Sequence, residues 1–339
     1  MNSSALPSLI SSEQGRLKER IFSRVRPDLL RIEEEIDRLL KSDIPLIPLV
    51  GRYIVKSGGK RLRPLLMIQA ARLCGYSGAN DTALAVVFEF VHAASLLHDD
   101  VVDHAEMRRN RPAANMIWGN PAVVLVGDFL YSKSILMAVE YQNIRILEVL
   151  VAATTQMSEG EVLQLVHSDN LEVTEKQYIQ VITRKTAALI AAACQVGAIL
   201  GGASPAQEKA LHSYGHNLGI AFQLIDDTLD FTGEAEELGK PVGNDIQEGK
   251  ATLPLICAFR NAKPVEKLRL RQIFSAEEIM SKDLGELRSL VIRTGGIDHT
   301  LDLAAKHARL AREALQIFPE GPAREVLDDM ADYVVHRRT

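Results

Sequence analysis

Cysteine is scarce in this 339-residue chain: Cys74, Cys194 and Cys257 are widely spaced, and no Cys-x-x-Cys occurs. That argues against a disulfide framework and a thiolate metal cluster and points to free thiols in a reducing compartment. Positive charge is not in excess. The 39 Lys and Arg residues against 44 Asp and Glu leave a net charge of −5, so no nucleic-acid surface is expected. Aromatic residues make up only 5%, too few for a pocket walled by rings. No apolar run reaches the ~18 charge-free residues of a bilayer span, and MNSSALPSLISSEQGRLKER lacks the pattern of a secretory signal. The expectation is a cytoplasmic protein without stable membrane insertion. Hairpin signals are also missing, with no Asn-Gly or Asp-Gly and little apolar alternation.

Helix punctuation fills the gap. Thr174–Gln177, Ser204–Gln207 and Ser275–Glu278 read as capping boxes, and Pro205 suits the first turn of its helix. Pro64 can open a helix ending near Gly75, and Gly201-Gly202 closes the run TAALIAAACQVGAIL. The fold class is all-α, with roughly ten or more helices. Length alone suggests two domains, but no linker stands out. Residues 1–20 read as a polar, frayed N-terminus and 21–339 as one domain. Residues 234–254 form a glycine-rich charged loop, and a long loop in a compact domain is usually functional.

Two acidic clusters carry the chemistry. Asp99-Asp100-Val-Val-Asp103 ends one apolar helix, and Asp226-Asp227-Thr-Leu-Asp230 ends another. Asp99 and Asp103 lie about 6 Å apart along one helix face, as do Asp226 and Asp230. Burying such carboxylates costs free energy unless a cation compensates. Oxygen ligands without thiolate favour Mg²⁺, with Mn²⁺ as the alternative, and Mg²⁺ prefers a few carboxylates plus substrate phosphates. Asp328-Asp329-Met-Ala-Asp332 repeats the spacing but follows mixed sequence, and reads as a solvated helix face.

Cations flank both clusters. Gly58 and Gly59 precede Lys60, Arg61 and Arg63; Arg108, Arg109 and Arg111 follow the first cluster; Lys185-Thr186 lies in a helix, and Lys240 in the glycine-rich loop. Arginine forks and lysine point charges suit phosphate, and each contact at ~4 Å is worth about 4 kcal/mol before desolvation. Two anion sites follow, one held mainly through metal and one mainly by Lys and Arg. His92, two turns before Asp99, is either a neutral core histidine or an anion contact; His98 is equally open. Gln223 can reach the second cluster.

The motifs GGKRLRP, LLHDDVVDHAEMRRN, GEVLQL, Lys185-Thr186, FQLIDDTLD and GKPVGNDIQEGK resemble those of the trans-isoprenyl diphosphate synthase (polyprenyl synthetase) family, over roughly residues 45–260. The nearest subgroup in character is the bacterial octaprenyl diphosphate synthases. The resemblance implies a helical bundle around a deep central cavity, usually homodimeric. It implies head-to-tail joining of isopentenyl diphosphate to an allylic diphosphate, farnesyl or geranyl, giving a long all-trans chain for quinone side chains. It places Mg²⁺ on Asp99, Asp103, Asp226 and Asp230. Arg108, Lys185 and Lys240 would hold the allylic diphosphate, with Thr186 and Gln223 orienting the reacting ends. Gly59, Lys60, Arg63, His92 and Arg109 would take isopentenyl diphosphate.

The growing chain needs an apolar shaft. One turn behind Asp99 stand Ala94 and Ser95, then Val91, then Phe88, at ~5.4 Å per turn. Small residues at 94 and 95 leave the shaft open and argue for a long product. Two rivals are weaker. A terpene cyclase usually carries an Asn/Asp, Ser/Thr, Glu triad as its second metal motif, and an inactive partner subunit would have lost motif residues.

Overall fold

The structure is a computed structural model describing residues 5–233, 243–276 and 279–336. It is all-α. The segment expected to fray is, from Ala5 on, the start of α1 (Ala5–Leu39). There follow α2 (Leu46–Lys56), α3 (Leu62–Leu73), α4 (Asp81–Val102), α5 (Ala114–Trp118), α6 (Asn120–Glu140), α7 (Ile144–His167) and α8 (Glu175–Ile182). A π-helical turn, Thr183–Ala187, joins α8 to α9 (Ala188–Leu200). Then come α10 (Pro205–Thr232), α11 (Asn244–Gln247), α12 (Leu253–Asn261), α13 (Pro264–Phe274), α14 (Ser281–Arg293), α15 (Gly296–Ala314) and α16 (Pro322–His336).

Local signals explain many of these boundaries. Thr174 and Ser204 cap α8 and α10 with reciprocal bonds to Gln177 and Gln207, and α10 opens on Pro205. Helix α9 stops at Gly201, followed by Gly202 at φ 70°. Ser275 departs from expectation. It closes α13, its hydroxyl donating back to the Arg271 carbonyl, and the next helix starts only at Ser281. Glu278 lies outside the described residues.

One small sheet exists where none was expected. Met107–Arg108 pairs antiparallel with Arg111–Pro112, and the turn between uses Arg109 (φ 51°) and Asn110 (φ 61°). Two left-handed residues make the tight hairpin connection usually built from Asn-Gly.

The largest of three core clusters among the described residues is the one in which α4 packs on α6, α9 on α3, α7 and α10, and α10 on α15. Tyr214, Phe88, Phe90, Leu66 and Leu97 are among its large wholly buried side chains. Helices α4 and α6 are long and apolar enough to cross a membrane by composition alone. Helix α4 is core. Helix α6 carries Asp128 and Lys133 and leaves Leu125, Leu136 and Val139 exposed. The third acidic triplet is paired rather than solvated: Asp329 binds Arg20 and Arg24, Asp332 binds Arg312, and Asp328 lies 3.7 Å from Arg312 and Arg324.

Candidate active site

A cavity of about 510 Å³ opens between α3, α4, α7, the π turn, α9 and α10. Asp99 and Asp226 both line it, so the two acidic clusters share one chamber. Asp103 and Asp230 sit one turn further along, where the segment after Gly243 bridges them. Lys250 Nζ is 2.8 Å from Asp103 Oδ2 and 2.7 Å from Glu248, and the Asp245 amide donates to Asp230 Oδ2 at 3.3 Å. Burial opposes the Lys250 charge, but Glu248 and Asp103 outweigh it and raise its pKa. Lys185 Nζ stands 3.9 Å from Asp99 Oδ2 and bonds Glu161 and Gln164 at 2.7 Å. Burial pushes the Asp99 acid up, against the pull of Lys185. Added positive charge at this spot therefore relieves a real cost.

The middle carboxylate of each cluster turns away from the chamber. Asp100 is fully buried, and its Oδ1 takes both Nε and Nη2 of Arg108 at 2.6 Å. Arg108, expected on the allylic diphosphate, is thus committed to this pair and does not line the cavity. Asp227 accepts from the Tyr178 hydroxyl at 2.5 Å and from Gln223 Nε2 at 2.8 Å. Burial and Asp245 push the Asp227 acid well above its usual range; the hydrogen bonds from Tyr178 and Gln223, one on each oxygen, oppose that rise.

The basic face is built by strained backbone. Gly58 and Gly59 adopt φ 103° and 149°, and a Cβ on Gly59 would come within 3.3 Å of the Arg109 and Arg61 guanidinium nitrogens. Arg61, itself left-handed at φ 49°, turns inward to Glu33 and Glu89 at 2.7 and 2.8 Å. Lys60, Arg63, His92 and Arg109 line the cavity. Lys60 Nζ lies 5.1 Å from the centre of the Tyr333 ring. Burial, reinforced by Arg109, draws the Arg63 guanidinium down to about 10, and its Nε is a buried donor without a partner. Burial, then Arg63 and Arg109, keep His92 neutral. Three cations with an orphaned donor form a site for an anion. His98 points elsewhere, to the Val124 carbonyl and Asp128.

The π turn delivers Lys185 and Thr186, and such bulges concentrate at functional sites. Two close approaches hold it. A Cβ on Gly160 of α7 would meet the Lys185 nitrogen at 2.6 Å, and one on Gly219 of α10 would meet Ala187 Cα at 2.6 Å. Thr186 and Gln223 both line the cavity, joined by a 2.8 Å bond. Lys240 lies outside the described residues.

The less polar part of the lining includes Ser95, Leu96, Met157, Ile190 and Phe222, together with Ile21, Phe22 and Val25 of α1 and Met330 and Val334 of α16. Ser95 shows its hydroxyl to the His92 carbonyl. Of the residues expected along the shaft, only Ser95 is on this wall. Ala94, Val91 and Phe88 are buried in the core cluster, because α4 presents positions 92, 95, 96 and 99 to the cavity. Helical spacing gives no signal for Lys250 and Glu161 as site residues; their charge within GNDIQEGK and GEVLQL is the only mark.

Carboxylates facing a basic cluster above an apolar wall, all in one helical chamber, define a class of enzyme that handles phosphorylated, greasy substrates without a nucleophilic side chain. Comparison with known proteins makes this specific. The family model Polyprenyl synthetase matches residues 45–291, and the chain belongs to that family. It is 42% identical to an octaprenyl diphosphate synthase of Escherichia coli, over 94% of this chain and 98% of the relative. A polyprenyl synthase of Caulobacter crescentus, solved with calcium and isoprenyl diphosphate, superposes with a TM-score of 0.91 at 42% identity, covering 95% of this chain and 98% of the other. A decaprenyl diphosphate synthase of Rhodobacter capsulatus gives 0.88 at 42% identity, covering 94% and 98%. The protein is a prenyltransferase, a trans-polyprenyl diphosphate synthase.

Proposed function

We propose that the enzyme repeatedly condenses isopentenyl diphosphate, head to tail, with an allylic diphosphate such as farnesyl or geranyl diphosphate. The product is a long all-trans polyprenyl diphosphate, of about eight isoprene units by likeness to the octaprenyl synthases, and serves quinone side chains. One observation carries this reading: Asp99 and Asp226 share a single chamber with Lys60, Arg63 and Arg109.

The donor set fits a divalent ion, Mg²⁺ or Mn²⁺, on Asp99, Asp103, Asp226 and Asp230. These are hard oxygens, and at Asp99 burial already disfavours the bare anion. Bound there, the ion supplies charge neutralisation for the departing diphosphate. The rest falls to the protein. Lys185 and Lys250 stand beside the carboxylates to meet the leaving group, a role the family resemblance also gives Lys240. Lys60, Arg63, Arg109 and neutral His92, on the turn opened by Gly59, hold isopentenyl diphosphate. The Arg108 charge, fixed by Asp100, adds to the field at the leaving group. When the allylic C–O bond breaks, the isopentenyl double bond attacks the cation. A C–C bond forms, and the adjacent carbon loses its proton to the departing diphosphate. Ser95, Leu96, Met157, Ile190 and Phe222 receive the tail and exclude water that would quench the cation.

The exposed apolar side chains of α6, Leu125, Leu136 and Val139, support a homodimer buried on that face. No nucleic acid is a partner, and the location is cytoplasmic. The decisive assay combines purified protein, Mg²⁺, isopentenyl diphosphate and farnesyl diphosphate, with sizing of the dephosphorylated products. Chains near eight units, abolished by EDTA, are expected. Products of ten to fifteen carbons would sink the long-chain reading, and turnover in EDTA would sink the metal assignment.

A further inference from the structure

The Thr186–Gln223 pair stands between two cavities. In front lies the 510 Å³ chamber. Behind lies a smaller cavity of about 140 Å³, whose lining includes Tyr178, Asp227, Asp245, Lys250 and Thr252. A chain of bonds runs through the wall. Tyr178 donates to Asp227 Oδ2 at 2.5 Å, Gln223 Nε2 donates to Asp227 Oδ1 at 2.8 Å, and Thr186 Oγ1 donates to Gln223 Oε1 at 2.8 Å.

The far end fixes the direction of this chain. Tyr178 donates to one oxygen of Asp227, and Gln223 turns its NH₂ to the other. Its carbonyl then faces Thr186 and is met by the hydroxyl hydrogen. The proton of Thr186 is spoken for, and its lone pairs are left for the substrate chamber.

We infer that Tyr178 and Asp227 are positioning residues: by holding the Gln223 amide in one orientation, they make Thr186 an acceptor toward the carbon that becomes cationic as the allylic C–O bond breaks. This rests on reading the chamber as the condensation site. An oxygen aligned before the reaction stabilises developing positive charge without reorganisation. With the amide flipped, Gln223 would offer NH₂ to Thr186. The hydroxyl hydrogen would turn toward the chamber and oppose the cation.

The test is a double-mutant cycle on the full-length protein with isopentenyl and farnesyl diphosphates and Mg²⁺. Tyr178→Phe keeps the shape of a buried ring and removes only the donor. It is expected to lower kcat roughly tenfold while both KM values stay within about twofold. In a Thr186→Val background the same change should alter kcat by less than about twofold, because the hydroxyl it acts through is gone. A packing role would instead multiply through both backgrounds. Wild-type kcat in Tyr178→Phe, or an undiminished effect beside Thr186→Val, overturns the inference. Asp227→Asn supplies a second arm. Its amide can offer NH₂ to the Gln223 carbonyl and invert the chain, so kcat should fall further than in Tyr178→Phe with KM held. An unaltered kcat there also overturns it. If the wild-type protein makes no polyprenyl diphosphate, the reading of the chamber fails rather than the positioning role.

Discussion

Asp100 holds Arg108 by two contacts of 2.6 Å to a single carboxylate oxygen, inside a motif whose neighbouring carboxylate, Asp99, faces the cavity. Adjacent residues of one acidic cluster thus have different jobs. Asp100→Asn removes the charge but keeps the shape. It should cost on the order of 1–2 kcal/mol of stability and lower kcat, since Arg108 loses its anchor. Its half-saturation by Mg²⁺ should stay within about twofold, whereas Asp99→Asn should shift it tenfold or more. Metal titrations that make the two variants indistinguishable would refute this division.

Gly160 is where α7 touches the π turn. A methyl group there would come within 2.6 Å of the Lys185 nitrogen, a backbone atom that cannot step aside. Gly160→Ala should therefore destabilise by about 1–3 kcal/mol, as overpacking does, and displace Lys185 and Thr186 together. A loss of kcat well beyond the loss of folded protein, read from activity beside a melting curve, is the expected result. Full activity at an unchanged melting temperature would show that the turn is not clamped.

Positions 94 and 95 should respond differently to phenylalanine. Ser95 is on the cavity wall, so Ser95→Phe should shorten the product while the protein remains folded. Ala94 is only 3% exposed and packed in the core, so Ala94→Phe should chiefly cost stability, about 1–3 kcal/mol. Chromatography of dephosphorylated chains beside thermal melts separates the two. Full-length product from Ser95→Phe would move the tail to another wall.

Acid should weaken the fold through three histidines, His212, His216 and His307, that do not line the chamber. His307 Nδ1 is 2.8 Å from Asn217 Oδ1. Burial, then His216 and Lys306, pull its pKa down from 6.5 to about 4. A base held neutral in the folded state binds its proton first in the unfolded chain. Stability is thus full above pH 6.5, falls as pH drops from there, and the loss is complete near 4. Burial lowers His212 and, with His212 adding, His216 in the same direction. Because His307 is only half-buried, solvent screening reduces the size of the effect. His307→Gln should flatten the urea midpoint between pH 6.5 and 4 relative to wild type; parallel curves would exclude the residue.

The sequence was informative where the signal is local. Carboxylates one turn apart, a proline at the first turn and a capping box are all written within a few residues, and the all-α class and the acidic chamber follow from them. What escaped depends on remote contacts or small rotations. The hairpin turn puts Arg109, a residue type that rarely adopts positive φ, ahead of Asn110, so no Asn-Gly or Asp-Gly signal marks it. Ser275 has the composition of a helix start, yet the preceding helix runs into it and the pattern serves as a stop. The π turn is set by glycines on two other helices. Lys250 reaches Asp103 across 147 residues of chain. Ala94 and Ser95 differ by one helical step, about 100°, enough to separate core from cavity.

The hairpin that carries Arg109 leaves α4 only a few residues past Asp103, and its guanidinium rests against Gly59. Under the proposed function, one short stretch of chain therefore ends the compartment for the primer and begins the one for the extender unit. Tilting the end of α4 would change the affinity of both at once. An engineer who wants to retune the choice of starter without disturbing elongation must work from α10, not from this segment.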